Sequence, residues 1–211
     1  MSTRHLGIIG AGNMGAAFAR RLAAAGHDVT ITARDAAHAR SAAAAAGPKA
    51  RAVRPNEIAR DADVIILAVP FGAAVDALRS AGDLTGKTVV DITNPLTADM
   101  SGLQLGHTTS AAEEIQKAVP RANVVKAFNT TFAQVLGAER SGARTQVLYA
   151  GNDAAARDIV RGIAESIGFE AVDSGPLANA RHLEPLGMLT IYLGYVAGRG
   201  TKIAPAFVPV T

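Results

Sequence analysis

Ile8-Ile9-Gly10-Ala11-Gly12-Asn13-Met14-Gly15 is the stretch that decides the fold. It follows a short apolar run, Leu6 to Ile9, and precedes an Ala-rich helical stretch, Ala16 to Ala25. The result is G-x-G-x-x-G at a turn from strand into helix, the context that gives this motif meaning. In such a turn Gly10 permits the tight bend, Gly12 lets the backbone approach a pyrophosphate, and Gly15 lets the helix pack closely on the strand. The helix N-terminus then offers unpaired N–H groups to phosphates.

Outward from this turn, strand and helix patterns alternate. His27 to Thr32 reads as a second strand entered through Gly26, and Asp35 to Ala46 as a helix stopped by Gly47-Pro48. Asn56 is expected to cap a short helix through Arg60. Ala62 to Val69 is a continuous apolar run ending at Pro70, the pattern of a strand buried on both faces. Phe71 to Ala81 reads as helix and Lys87 to Thr93 as strand, ending at Asn94-Pro95. Residues 97–108 look irregular. Ser110 and Glu113 form a capping box for a helix that stops before Pro120. Asn123 to Phe128, Gln146 to Ala150 and Phe169 to Val172 read as strands, and Asp153 to Ile167 as a long helix. Gly175-Pro176 opens a segment that is helical to about Gly198. Strands alternating with helices predict an α/β fold: a Rossmann-type, doubly wound, mostly parallel sheet with a small C-terminal helical extension. We divide it into a dinucleotide-binding domain, 1–174, and a C-terminal helix and tail, 175–211, closing over the ligand edge of the sheet.

Composition narrows the function classes. The 211 residues are 49% hydrophobic and 18% charged, and 21 Lys and Arg against 18 Asp and Glu leave a net charge of only +3. The basic residues are scattered, which argues against nucleic acid as a partner. There are no cysteines, so disulfides, thiolate catalysis and cysteine-ligated metals are excluded. The N-terminus reads as a strand start rather than a signal peptide, and no apolar stretch is long enough to span a membrane. A reducing cytoplasm fits.

The residues also point to the form of the dinucleotide. An acidic residue about 20 positions past the glycines binds the ribose 2′-hydroxyl of NAD, whereas an arginine accommodates the 2′-phosphate of NADP. Here the second strand ends Thr32-Ala33-Arg34. Arg34 offers a planar cationic fork, and His38, one turn along the next helix, a second donor. Asp35 either caps that helix and points away, or repels the phosphate. We expect NADP(H).

Several later segments stand at the ends of strands: Val69-Pro70, Asp91 to Leu96 (DITNPL) and Lys126 to Thr130 (KAFNT). Late in the chain comes Asp173 to Glu184 (DSGPLANARHLE). Together with the glycine turn, this set resembles the NADPH-dependent reductases of coenzyme F420, and is also similar to the NADPH:flavin domain of the STEAP metalloreductases. The resemblance implies hydride transfer between NADPH and a small-molecule acceptor, F420 or a flavin such as FAD or FMN. It implies that Ala11, Gly12, Asn13 and Met14 form the diphosphate loop and that Ala33, Arg34 and His38 hold the 2′-phosphate. Asn94 and Ala133 fall at the nicotinamide end. Asn129 falls where the archaeal deazaflavin reductases carry a histidine near the acceptor ring, and the STEAP-like members have Phe-Asn there, as this chain does.

From the residues themselves, Asn94 and Asn129 are as readily turn formers as ligand contacts. Arg181 and Glu184, three apart on one helix, are expected either to pair with each other or to meet substrate. Lys126 lies inside a strand and reads as structural or as a phosphate neighbour. His5 and His27 precede strands and read as structural, while His107 and His182 are candidates for acceptor contact. No metal-ligand spacing and no serine-hydrolase elbow are present. Hydride transfer to a flavin-type ring needs orientation more than proton transfer, so no residue is assigned as catalytic acid or base. The rivals are a non-enzymatic NADP-binding redox module, and a short β-hydroxyacid or imine-type dehydrogenase, which would need a long all-helical domain that we do not expect here. The run Leu186 to Val196 is too apolar for a solvated surface, and we expect it to be core or a homodimer face.

Overall fold

The computed structural model describes residues 3–138 and 145–210. The elements follow in alternation: β1 (His5–Ile9), α1 (Asn13–Ala24), β2 (Asp28–Thr32), α2 (Ala36–Ala46), β3 (Ala50–Ala52), α3 (Ile58–Asp61), β4 (Val64–Leu67) and α4 (Phe71–Arg79) make the first half. The second half is β5 (Thr88–Asp91), α5 (Ala111–Ala118), β6 (Asn123–Ala127), α6 (Ala133–Gly137), β7 (Gln146–Gly151), α7 (Ala154–Ser166), β8 (Glu170–Asp173) and α8 (Ala180–Ile191). A π-helical turn, Tyr192–Val196, continues α8.

All eight strands join one sheet in the order β3-β2-β1-β4-β5-β6-β7-β8. The order reverses between β1 and β4, and in open α/β sheets the ligand crevice lies at that switch, outside the carboxyl ends of the strands. The strands alternate their side chains between two cores, as a sheet covered on both faces requires. Ile8, Ile31, Ile66, Val90 and Val125 face α1, α2 and α7. Ile65, Leu67, Val89 and Val124 face α3, α4 and α5.

Four features depart from the sequence reading. Ala50–Ala52 forms an edge strand paired with β2, too short and too Ala-rich to announce itself. β7 runs antiparallel to β6, with Ala127 opposite Tyr149; alternation of element types carries no information on that reversal. The short helix near residue 56 begins as a 3₁₀ turn, Pro55–Glu57, and Asn56 does not cap it. Instead the Glu57 carboxylate accepts from the Arg54 N–H at 3.1 Å. Finally, α6 follows the Phe128–Phe132 stretch directly, with five residues that show no helical period of their own.

His27 has the structural role expected. It is buried, its Nδ1 accepts from the Arg4 N–H at 3.3 Å, and its Nε2 lies 3.0 Å from Ser166 Oγ. The Nδ1 contact fixes the proton on Nε2. Burial, reinforced by the nearby Arg4 charge, holds the ring below the ordinary histidine range. No described helix is long and apolar enough to cross a membrane.

Candidate active site

The three glycines of the first turn are required for three different reasons. Gly10 has φ +110°, and a Cβ there would lie 2.2 Å from the Ala68 carbonyl oxygen on the neighbouring strand. A Cβ at Gly15 would lie 1.8 Å from the Gly10 carbonyl oxygen, so α1 can seat against β1 only without one. Gly12 has φ −72° and ψ −169°, which any residue adopts, and a Cβ there would meet nothing within 4 Å. Neither backbone strain nor packing within the protein demands a glycine at 12. The open space over the backbone at Gly12 has room for a ligand. Gly12 caps α1 without a side-chain hydrogen bond, and the first turn carries no acidic residue. The N–H groups and the dipole are therefore left to an anion. Gly10, Ala11, Gly12, Asn13, Met14 and Gly15 fit a diphosphate on these grounds; Val69, just past β4, borders the same turn, its Cγ1 3.0 Å from where a Gly10 Cβ would lie, and Pro70 stands at the N-cap of α4.

At the end of β2, Asp35 caps α2: its Oδ1 accepts from the Ala37 N–H at 2.8 Å. Its Oδ2 lies 3.5 Å from His38 Nδ1. The carboxylate is thus turned into the helix terminus and the histidine, the first of the two alternatives open from sequence. Arg34 is exposed and, among the described residues, has no carboxylate partner. Ala33, Arg34 and His38 lie together within that turn and the first turn of α2.

At the other end of the crevice a cavity of about 270 Å³ opens beneath the C-terminal half of α8. Its lining brings Asn13, Met14, Asn94, Asn129 and Ala133 together with Thr131, Phe132, Gly187, Thr190, Ile191 and Tyr195. The segment after β6 reaches it through Phe128, whose φ is +59°. A left-handed residue with a Cβ costs about 1–3 kcal/mol. Its ring is buried in two edge-to-face contacts, with Phe18 at 5.1 Å and Phe169 at 5.9 Å, each contributing about 0.5–1.5 kcal/mol. That packing offsets the strain and throws Asn129 to Phe132 across the sheet edge.

Asn94 and Asn129 meet there. Asn94 Nδ2 donates to the Asn129 carbonyl at 2.8 Å, and Asn129 Nδ2 donates to Asn94 Oδ1 at 2.9 Å and to the Leu183 carbonyl at 2.8 Å. Gly187 of α8 lies directly on the pair: a Cβ there would come within 2.6 Å of Asn94 Oδ1. Asn129 Oδ1 and Thr131 Oγ1 are buried without a partner among the described residues. Orphaned acceptors beside a cavity suit a polar ligand, since a buried group left unpaired is costly.

Beneath the asparagines lies an ionic cluster. Asp91 and Lys126 are opposite one another on β5 and β6. Both are fully buried, with Lys126 Nζ 2.6 Å from Asp91 Oδ2, 2.8 Å from Glu184 Oε1 and 2.7 Å from the Thr93 carbonyl, to which it donates. The Asp91 Oδ2 approach is an ion contact outside hydrogen-bond angles, and its Oδ1 accepts from the Thr93 N–H at 2.8 Å. Glu184 also caps α5 from α8, accepting from the N–H groups of Ala111 and Ala112 at 2.9 and 3.2 Å. Arg181 forks onto the Glu113 carboxylate at 2.6 and 2.8 Å, which holds that carboxyl below its usual range. Arg181 and Glu184 therefore do not pair with each other, and neither lines the cavity. They bolt α8 to α5, and Lys126 bolts it to the sheet. The sequence showed these residues and the α5 helix, but not that α5 is the partner of both.

His107 and His182 are exposed and do not line the cavity. The apolar run of α8 is only partly core: Gly187 and Thr190 are buried, but Leu189, Tyr192, Tyr195 and Val196 are exposed. Gly187, Thr131 and Tyr195 were missed. The one available signal was an isolated glycine inside a helical pattern, which marks a close approach.

A doubly wound sheet with a glycine turn at its switch point and a cavity at the end of the same crevice defines the class: a Rossmann-type oxidoreductase domain. Residues 5–95 match the family described as NADP oxidoreductase, coenzyme F420-dependent. The F420-dependent NADP reductase of Methanothermobacter marburgensis is 33% identical over 199 residues, covering 87% of this chain and 89% of that one. Metalloreductase STEAP3 of Rattus norvegicus is 33% identical over 187 residues, 87% of this chain, but the match spans only 37% of that protein's length. A solved structure from Arthrobacter sp. FB24, assigned as an F420-dependent NADP reductase, superposes with a TM-score of 0.81 at 31% identity, covering 93% of this chain and 96% of that one. The chain belongs to the family of coenzyme F420-dependent NADP oxidoreductases.

Proposed function

We propose that the protein transfers hydride between NADPH and a deazaflavin or flavin ring received in the cavity beneath α8. The observation that carries this reading is the chemistry of the lining. Its residues are amide, hydroxyl, aromatic and aliphatic, with no Asp, Glu, His, Lys or Arg among them. Such a wall orients two rings and excludes water, and offers no strong acid or base. The nicotinamide supplies the hydride when bound, so the protein need only position the partners.

The chain's own residues divide that work. The backbone from Gly10 to Gly15 and the N-terminus of α1 hold the diphosphate. Arg34 meets the 2′-phosphate with a planar fork, and His38 adds a donor kept in place by Asp35. Asn94 and Asn129, with Ala133, fix the nicotinamide end, where the paired amides hold their own geometry and leave Asn129 Oδ1 as an acceptor. Thr131, Thr190 and Tyr195 face the acceptor ring. The test is anaerobic stopped-flow oxidation of NADPH with F420, FMN, FAD and riboflavin in parallel. Rapid bleaching of NADPH absorbance by at least one ring supports the reading, and failure with all four at high protein concentration overturns it.

A further inference from the structure

We propose that Lys126 is a positioning residue for the hydride step: its buried ammonium, held by Asp91 and Glu184, fixes the peptide that carries Asn94 and the helical turn that closes on Asn129. This rests on the proposed reading of the cavity as the place where nicotinamide and acceptor ring meet. Lys126 is fully buried and does not line the cavity, so it acts through the asparagine pair and not on a ring. Asn94 and Asn129 each donate Nδ2 to a backbone carbonyl, of Asn129 and Leu183 respectively. A carbonyl only accepts, so the sense of both amides is set by backbone. That backbone is anchored on three sides at one nitrogen.

On the first side, the Thr93 carbonyl accepts from Lys126 Nζ at 2.7 Å. That carbonyl belongs to the same planar peptide as the Asn94 N–H. Asp91 Oδ1 accepts from the Thr93 N–H at 2.8 Å while its Oδ2 lies 2.6 Å from the ammonium, so one ion pair grips Thr93 through both of its peptides. On the second side, Glu184 Oε1 lies 2.8 Å from the ammonium. The peptide joining Leu183 to Glu184 supplies the carbonyl that receives Asn129 Nδ2, and Gly187, about one turn along α8, lies against both amides. The third side is the backbone of Lys126 itself, three residues before Asn129. A buried ion cluster is a poor source of stability, because apolar side chains of similar volume often do as well. Apolar packing is non-directional, whereas charge-assisted hydrogen bonds fix length and direction. The cluster therefore supplies position: it holds β5, β6 and α8 in one register around the asparagine pair.

Anaerobic single-turnover stopped-flow tests this, with the full chain preloaded with NADPH and mixed with whichever of F420, FMN, FAD and riboflavin the wild type reduces. The rate constant reads the folded molecules, and the amplitude reads how many there are. Lys126→Met is expected to lower the rate constant about ten- to a hundredfold while NADPH affinity, from a fluorescence titration, stays within about threefold. The neutral triple variant D91N/K126M/E184Q separates position from stability. It leaves no carboxylate without its cation, so it should melt closer to the wild type than Lys126→Met. The Thr93 carbonyl is still released, so the rate should stay low. Glu184→Gln keeps the Lys126–Asp91 pair and is expected to show a smaller fall in the same direction. A rate constant that recovers with the melting temperature in the triple variant, or an unaltered rate in Glu184→Gln, overturns the proposal. The side-chain amide signals of Asn94 and Asn129 in a ¹⁵N–¹H spectrum separate it from the proposed function. If the wild type oxidises NADPH with no ring but those signals shift and broaden in the triple variant, the function falls and the clamp stands. Wild-type turnover, with rates and amide signals unchanged in the variants, does the reverse.

Discussion

Asn94 and Asn129, at the tips of neighbouring strands, hold each other by two hydrogen bonds of 2.8 and 2.9 Å beneath a glycine of α8. The contact is closed on the helix side, because Gly187 leaves no room for a side chain. Gly187→Ala must displace either the amides or the helix. Overpacking of this kind costs about 1–3 kcal/mol. We expect a lowered melting temperature and a loss of NADPH-oxidation rate of about tenfold or more, with NADPH affinity changed less; stopped-flow and thermal denaturation on the same preparation check it. An unaltered rate would separate the asparagine pair from the reaction.

The first turn predicts opposite outcomes for two glycines three residues apart. Gly12→Val has open space around it, so the protein should fold and melt normally but lose NADPH binding in a fluorescence titration. Gly15→Val collides with the Gly10 carbonyl and should not give folded protein by circular dichroism. Normal NADPH binding by the Gly12 variant would remove the diphosphate from this turn.

Arg34→Ala should reduce the preference for NADPH over NADH. A hydrogen bond to a charged group contributes about 1.5–3 kcal/mol, so we expect NADPH affinity to fall by at least tenfold and NADH affinity to stay within twofold, from paired titrations. Parallel losses for both nucleotides would assign Arg34 elsewhere.

The buried cluster at Lys126 predicts a stability effect. Lys126→Met leaves Asp91 and Glu184 as two buried carboxylates without their cation, and breaking such a set costs about 3–5 kcal/mol. The urea midpoint should fall accordingly. A change below about 1 kcal/mol would mean that the cluster relaxes or admits water. Because Glu184 also caps α5, Glu184→Gln should loosen α8 as well, seen as faster amide exchange in both helices.

His27 predicts the direction of one pH effect. Its folded pKa lies below the ordinary value of 6.5, because burial disfavours the imidazolium. Between the folded pKa and 6.5 the unfolded chain binds more protons, so stability rises with pH there. It is fully present above 6.5 and is lost as pH falls toward the folded value. Melting temperature should therefore drop from pH 7 to pH 5.5, and His27→Gln should flatten that part of the curve. A variant with the same slope would place the titration on another group.

Much of the glycine-turn side was legible from local sequence, because each piece of it is local. The Gly10 to Gly15 turn and the Arg34 strand tip are complete within a few residues, and so is the Ser110 cap of α5, although the Glu113 carboxylate turns to Arg181 instead of the Ser110 N–H. The cavity was not legible in the same way. Asn94 and Asn129 are 35 residues apart and Gly187 is farther still. Only the pairing of β5 with β6 and the docking of α8 bring them together. Arg181 and Glu184 misled for the same reason: their spacing fits an intrahelical pair, but α5 offers a better partner to each. The reversal of β7 left no trace, since a buried strand has the same apolar pattern in either direction.

That reversal has a consequence for how such a protein can change. Because β7 runs back beside β6, the chain leaves the sheet and re-enters it at the same end, and the connection need not cross a face. It still serves the layers, since Phe128 packs between Phe18 and Phe169 and Leu136 of α6 is buried in the same core. An exchange of the stretch that follows Ala127 for that of a relative therefore has to keep these two positions, and with them kept it is expected to reshape the cavity wall while the Gly10 to Gly15 turn is inherited intact.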